Sequence, residues 1–502
     1  MRSVIVGGGV AYHERTAYRR GALGGGFLDW NARPKVFKTY HGLPEVPLSW
    51  DIEGSSKPFF QVLFDPIPER TGHLDFKTLS RVLRLSYGIT AQSGTGADAF
   101  YFRSVPSAGA LYPCELYAAV QGVRELDDGL YHYDLARSRL VRLRSGSFLA
   151  SKALPTAAFF ITTMFFRSAW KYRDRAYRYC LLDAGHLVEN ALLVLRSEGF
   201  KACVYDRFND AKLNAFLGVD TEREACVAVI GLPSKAWAGE AAEPLNSARE
   251  FSLMDELRSW DPVQPEACRL SPVDAVPHAI LEAHRTTEGG APLRGAGEKG
   301  AGEEAKDFVK EVRKIPRPEV LPEGLSFAEC VWRRRSHRNY VSARVTKENW
   351  QTLWHSLRLD GALSSCVQVI IACGETDGLP PGVYAWNVVE EVAQEISGED
   401  IRRSSARACL DQGWLKQALF HVIFHVFWTS VHERFGPRGY RSAMLDAGRL
   451  GQRVYLASTA LGLGCCGIGA YYDEELRSLF HLGSGCDVVY LTASGPVKKL
   501  RS

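Results

Sequence analysis

One stretch of this chain is written twice. Arg175–Leu187 reads RAYRYCLLDAGHL and Arg438–Leu450 reads RGYRSAMLDAGRL, 263 positions later. Arg, Tyr, Arg, Leu, Asp, Ala, Gly and Leu fall at matching places. The same offset pairs Gly199 with Gly462, Asp210 with Asp473 and Leu213 with Leu476. Upstream it pairs the apolar run Ala157–Arg167 with Phe420–Ser430. GLYHYD at Gly129–Asp134 resembles GVYAWN at Gly382–Asn387, and each half closes on an apolar strand, Ala225–Gly231 and Asp487–Gly495. A repeat of this length means two related folding units rather than one large core.

Each half carries the same order of elements. An amphipathic helix comes first (Phe76–Leu85; Lys347–Leu357). Strands follow (Leu116–Gly122 and Gly129–Asp134; Val367–Cys373 and Gly382–Asn387), then the long apolar run as a strand. A helix carrying LDAG comes next; Leu181, Leu182, Leu187, Val188, Ala191, Leu192 and Leu195 recur at helical spacing, and Gly199 is placed to end it. Strands in runs with helices grouped between them predict an α+β fold rather than a doubly wound sheet. Two such halves on one chain predict an intramolecular pseudo-dimer with two-fold symmetry.

At 502 residues the chain exceeds what one hydrophobic core usually serves. EGGAPLRGAGEKGAGEEAKD at Glu288–Asp307 has linker composition, and prolines stud both flanks. The expected organisation is an N-terminal extension over 1–50, a first domain over 51–240, a partly flexible linker over 241–323 and a second domain over 324–502. Basic residues number 61 against 57 acidic, too even a balance for a dedicated nucleic-acid binder. No apolar run reaches the ~18–20 residues of a membrane helix, and Met1–Arg20 lacks the apolar stretch of a signal peptide. Twelve cysteines without a CxxC pair read as free thiols in a reducing compartment, hence cytoplasm. The adjacent Cys465-Cys466 could be a redox pair; two small residues in a tight segment is the favoured reading.

Four motifs could carry chemistry. Val4–Gly9 (VIVGGG) looks like the turn of a dinucleotide fold, but Tyr12 stands where its third glycine should be and no βαβ unit follows. It is set aside as a flexible N-terminal segment. Arg333–Arg338 (RRRSHR), ahead of the helix expected from Lys347, could clamp a phosphate monoester with guanidinium forks, or be a solvated basic turn. Pro106–Pro113 (PSAGALYP) is a loop of small residues whose backbone could approach a flat ligand closely, or a plain turn; Arg103 adds a possible anion contact. Trp170-Lys171-Tyr172, expected just after the long strand, could supply a tuned acid–base pair, or be a surface lysine beside a packed tyrosine.

Taken together, PSAGALYP, GLYHYD, WKY and RAYRYCLLDAGH resemble the nitroreductase superfamily of flavoproteins, and most closely its SagB-type branch, the azoline dehydrogenases. His13, Thr16, Pro34, Lys38 and Tyr40 fit that branch's N-terminal region, and RRSHR and the basic terminus GPVKKLR resemble the superfamily's phosphate-binding ends. The resemblance covers both halves but not the linker. It implies α+β dimers with FMN at the interface. One subunit supplies the RRSxR segment and basic terminus, the other the PS(A/S) loop against the flavin ring.

The halves differ in a telling way. Aligning Leu74–Leu83 with Val345–Trp354 puts the first half's RRSxR position at about Leu63–Ile67, which holds no arginine. The second half has only Arg358–Cys366 where the first has its PSAG loop, and Glu433-Arg434-Phe435 in place of WKY. The losses are complementary, so the resemblance implies one composite FMN site per chain. Arg334, Ser336, Arg338, Lys498 and Arg501 would hold the phosphate. Pro106, Ser107, Ala108 and Gly109 would line the ring, with Gly467 and Gly469 allowing backbone approach. Lys171 and Tyr172 would take the proton-transfer role of the branch's Lys–Tyr pair.

Three functions follow as expectations. The leading one is an FMN-dependent dehydrogenase acting on a modified peptide or small molecule. The second is an NAD(P)H-dependent nitro or quinone reductase. The third is a degenerate flavoprotein scaffold without turnover. No metal, nucleic-acid or membrane partner is expected, and a fused pair is expected to work as a monomer.

Overall fold

The computed structural model describes residues 8–23, 27–50, 56–66, 74–95, 99–148, 156–205, 207–232, 261–263, 266–289, 311–359 and 366–498. They divide into two compact units. The first comprises Phe27–Lys57 and Phe64–Gly289; the second comprises Met1–Gly26, Pro58–Leu63 and Gly290–Ser502.

The strands in chain order are β1 (Glu45–Pro47), β2 (Ile89–Ser93), β3 (Phe100–Arg103), β4 (Cys114–Gln121), β5 (Gly129–Asp134), β6 (Arg139–Ser145), β7 (Thr156–Met164), β8 (Cys203–Tyr205) and β9 (Glu224–Gly231) in the first unit. The second unit has β10 (Val312–Lys314), β11 (Gln368–Cys373), β12 (Gly382–Asn387), β13 (Val392–Ser397), β14 (Phe420–Phe427), β15 (Gly464–Ile468) and β16 (Cys486–Gly495). Each unit holds a seven-stranded sheet: β1-β6-β5-β4-β7-β9-β8 in the first and β10-β13-β12-β11-β14-β16-β15 in the second. Every neighbouring pair in both sheets is antiparallel. The fold is α+β, with two units of one topology.

The likeness extends to the irregularities. The β7–β9 register shifts between Ile161 and Thr162, and β14–β16 shifts between Phe424 and His425, 263 positions on. A second bulge at Leu130/Tyr131 recurs at Val383/Tyr384. Bulges re-aim strands and are built-in features of a fold, so a duplicated unit keeps them.

The LDAG segments lie on long helices, Ala176–Ser197 and Gly439–Ala460, buried almost all round. Such helices belong to a core rather than a surface. Both end the same way. Gly199 and Gly462 take left-handed φ of 82° and 68°, and the next amides, Phe200 and Leu463, reach back to the Leu195 and Ser458 carbonyls.

The long apolar runs are shorter strands than expected. β7 stops at Met164 and β14 at Phe427; the chain then turns into the helices Phe165–Tyr172 and Trp428–Phe435. Met164 is the last residue of β7 to find a partner, opposite Glu224. Beyond it, Phe165, Ser168 and Ala169 are buried at helical spacing. Trp170-Lys171-Tyr172 therefore ends a helix instead of trailing a strand.

The N-terminal segment also differs from expectation. Gly8–Arg15 is a helix with Tyr12 and His13 buried in the second unit. Its glycines open a helix and no dinucleotide turn; Val4–Gly7 lie outside the described residues. His13 packs on Trp428 and Tyr440. The first unit repeats the arrangement with a helix from the stretch read as linker, His278–Thr286. There His284 packs on Phe165 and Tyr177. Three residues on, Thr16 and Thr287 each bond their hydroxyl back to the carbonyls of the preceding turn. A His-x-x-Thr helix is thus part of both units. Within the same stretch, Val312–Lys314 forms the edge strand β10.

Candidate functional site

In the first unit the PSAGALYP loop is folded by one carboxylate. The Ser107 hydroxyl donates to Asp183 at 2.5 Å, the Ala108 amide donates to the same carboxylate at 3.3 Å, and Ser107 Oγ accepts the Tyr112 amide at 2.8 Å. Between them Gly109, Ala110 and Tyr112 all have left-handed φ (63°, 54° and 48°). Two of these carry side chains, so the conformation costs energy that the surrounding bonds must offset. Asp183 is the aspartate of the first LDAG. Burial pushes its carboxyl up to about 7, against the Ser107 and Ala108 bonds that favour the ionised form.

The loop meets the Lys–Tyr pair. A methyl group placed on Gly109 would lie 2.8 Å from the Tyr172 hydroxyl and 3.2 Å from Lys171 Nζ. Lys171 Nζ sits 5.5 Å from the Tyr172 ring centre, and Tyr172 packs on Tyr179 at 4.5 Å. Lys171 and Gly109 are exposed, so this corner is open to a ligand. The structure thus brings the Pro106–Gly109 segment, through Gly109, beside Lys171 and Tyr172.

Arg103 is not part of that opening. It is buried, donates to the Val36 carbonyl at 2.6 Å and lies over the Tyr87 and Tyr112 rings. Behind the loop is a polar interior. Arg167 pairs with Glu115 at 2.6 Å and donates to the Tyr112 carbonyl; His132 reaches Glu115 at 2.9 Å. Burial opposes ionisation of Glu115, but the Arg167 charge and the His132 contact prevail and hold it at about 2.

The second unit holds Arg334, Ser336, Arg338, Gly467, Gly469 and Lys498. RRSHR follows the short helix Phe327–Arg333 rather than leading into one, and its backbone runs beside β15: Ser336 bridges to Cys465, and the His337 amide bonds the Cys465 carbonyl at 2.8 Å. Arg334 is buried, its guanidinium 5.5 Å from the Tyr455 ring centre. The Tyr455 hydroxyl sits 2.9 Å from Ser336 Oγ and accepts the Gly467 amide at 2.7 Å. Arg338 and Lys498 are exposed, and Lys498 is tied to Asn339 through backbone and side-chain bonds. Gly469 follows β15 directly; Arg501 lies outside the described residues.

Gly467 has a structural reason to be glycine. Any Cβ there would collide with the Tyr490 hydroxyl. Tyr455, which joins Ser336 to Gly467, carries no sequence signal of its own; it stands in the interior of a helix. Cys465 and Cys466 are buried free thiols, both pushed upward by burial, which suits packing rather than redox chemistry.

The units diverge at the LDAG aspartate. Asp446 is also buried, but Arg449, one turn on, pairs with it at 2.8 Å. The first unit has His186 at that place and a loop on its aspartate instead.

The nitroreductase family model matches residues 74–232 and 331–495, together well over half of the chain. The chain belongs to the nitroreductase family. It is an oxidoreductase, and both halves are nitroreductase domains. The candidate nitroreductase MJ1384 of Methanocaldococcus jannaschii is 31% identical over 156 residues, 29% of this chain and 75% of that one. The microcin B17-processing protein McbC of Escherichia coli is 28% identical over 133 residues, 24% of this chain and about half (49%) of that one. A crystal structure of a candidate nitroreductase from Anabaena variabilis covers 98% of this chain and 100% of its own at a TM-score of 0.78 and 25% identity. Among the described residues no helix is long and apolar enough to cross a membrane.

Proposed function

We propose that this nitroreductase-family chain is an FMN-dependent dehydrogenase of the SagB type that oxidises an azoline ring in a modified peptide. The carrying observation is the corner where Gly109 leaves no room for a side chain beside Lys171 and Tyr172. A flat ring needs such a bare backbone edge, and a proton needs such a pair. The residues present fit FMN: a small-residue loop in one unit, and Arg334, Ser336, Arg338 and Lys498 around β15 in the other for a phosphate.

One FMN per chain draws on both sets, because each half keeps the motif that the other has lost. When bound, FMN supplies hydride acceptance. Pro106, Ser107, Ala108 and Gly109 line the ring. Lys171 and Tyr172 hold the substrate and take the proton that leaves beside the transferred hydride. Similarity to McbC supports the peptide reading, and a working monomer in the cytoplasm belongs to the same proposal.

Lys171→Ala and Tyr172→Phe test the assignment. Each should retain FMN yet slow oxidation of an azoline peptide by ~10²–10⁴-fold, the usual worth of a general acid or base. Unchanged turnover would remove these residues from the chemistry. Rapid flavin reduction by NAD(P)H, with an azoline peptide inert, would favour the nitro or quinone reductase reading.

A further inference from the structure

Asp183 is given no part in the proposed chemistry, yet it bonds directly to two of the residues placed along the ring. Its carboxylate collects the Ser107 hydroxyl and the Ala108 amide, and among the described residues no cation pairs with it. In the second unit the matching aspartate, Asp446, takes an arginine. A buried carboxylate must be compensated. In the first unit the compensation comes entirely from the loop.

We propose that Asp183 is the positioning residue of the flavin-facing loop, fixing Ser107–Tyr112 in its left-handed path beside Lys171 and Tyr172. The proposal rests on the function proposed above for its consequence, though not for the loop geometry itself. The chain of contacts is short. Asp183 orients the Ser107 hydroxyl, whose oxygen accepts the amide of left-handed Tyr112, and left-handed Gly109 and Ala110 lie between. Without Asp183 the Ser107 hydroxyl loses its anchor, and the strain at Ala110 and Tyr112 is left to the Ala110–Ser107 turn bond and the Arg167 bond to the Tyr112 carbonyl. The loop relaxes, and Gly109 leaves its place against the pair.

The same geometry makes the loop sensitive to pH. Hydrogen bonds to a carboxylate are stronger than those to a neutral acid, so the loop tightens as Asp183 ionises. Among the described residues, the thiols that feel its charge are Cys114 on β4 and Cys180 on its own helix, and the buried His186 stands one turn on in that helix. Burial raises both thiols, Cys180 to about 12, so neither changes charge near neutrality.

The test uses the full chain and its Asp183→Ala, Asp183→Asn, Ser107→Ala and Asp183→Ala/Ser107→Ala variants. Two readouts are taken: amide hydrogen exchange over Ser104–Pro113, and FMN affinity by fluorescence titration. Asp183→Ala should expose the Ala108 and Tyr112 amides while β4 stays protected, and weaken FMN about 10- to 100-fold, as loss of a charge-assisted bond does. Asp183→Asn, still able to accept, should restore most of the protection but lose the parent's increase in protection across about pH 7. The double variant should be no worse than Asp183→Ala alone. Unchanged loop exchange in Asp183→Ala overturns the proposal, as does a loosened loop with unchanged FMN affinity. If Asp183→Ala does not fold, Asp183→Asn decides: a pH step kept in that variant overturns it. A parent that takes up no FMN refutes the flavin reading, while exchange still decides the loop claim.

Discussion

Lys38 and Glu224 form an ion pair 2.6 Å long inside the first unit, and the Tyr117 hydroxyl bonds to both. Thr162 donates to the same carboxylate. Both charges are almost fully buried. Burial alone would lower Lys38, but the Glu224 carboxylate overrides it and raises the ammonium above its ordinary range. Removing one partner leaves a buried charge unpaired. Lys38→Met should cost about 3–5 kcal/mol in denaturant unfolding, whereas Lys38→Met with Glu224→Leu should recover much of that loss. Equal losses in the single and double variants would contradict the pairing.

Glu115 predicts how the first unit responds to acid. Its folded pKa of about 2 lies below the ordinary 4.5, so its contribution is full above about pH 4.5 and is lost as pH falls towards 2. Stability measured across that window should drop by a few kcal/mol in the parent, and much less in Glu115→Gln, which starts lower. Parallel pH profiles for the two would show that the Arg167 pair is not the cause.

Gly109 is a test of the corner itself. Gly109→Ala adds a methyl at a left-handed φ of 63°, 2.8 Å from the Tyr172 hydroxyl. The backbone strain alone is about 1 kcal/mol. The larger effect is expected on function: displacement of Lys171 and Tyr172 should slow turnover on the order of 10²-fold with the melting temperature nearly kept. A variant as active as the parent would mean that the corner is not where reaction occurs.

Gly467 should behave differently. Gly467→Ala drives a methyl into Tyr490, so it should destabilise the second unit by about 1–3 kcal/mol. Tyr490→Phe, which removes the colliding oxygen, should return part of that stability. Loss of FMN without loss of stability would instead restore Gly467 as a ligand-approach residue.

Much of this was legible in the residues. The 263-residue offset exposed two units, and the apolar runs located the central strands. PSAGALYP and WKY stand out as short strings of unusual residues, and the structure brings Gly109 of one beside Lys171 and Tyr172 of the other. What escaped is what depends on distance along the chain. Asp183 was visible only as a repeat marker, since its partner Ser107 lies 76 residues away. Tyr455 has no local signature. The His-x-x-Thr helices repeat at 271 residues rather than 263, so the main register hides them. Phe165–Arg167 reads as strand because its aromatic residues continue the apolar run of β7; only the loss of a pairing partner turns it into the start of a helix.

Flavin stoichiometry tests the central claim most directly. Titrating the purified chain with FMN should saturate at one FMN per chain. Ser107→Trp and Arg334→Ala, one from each unit, should each abolish binding while the protein stays folded. Saturation at two FMN per chain, no uptake at all, or one of these variants binding as the parent does would contradict it.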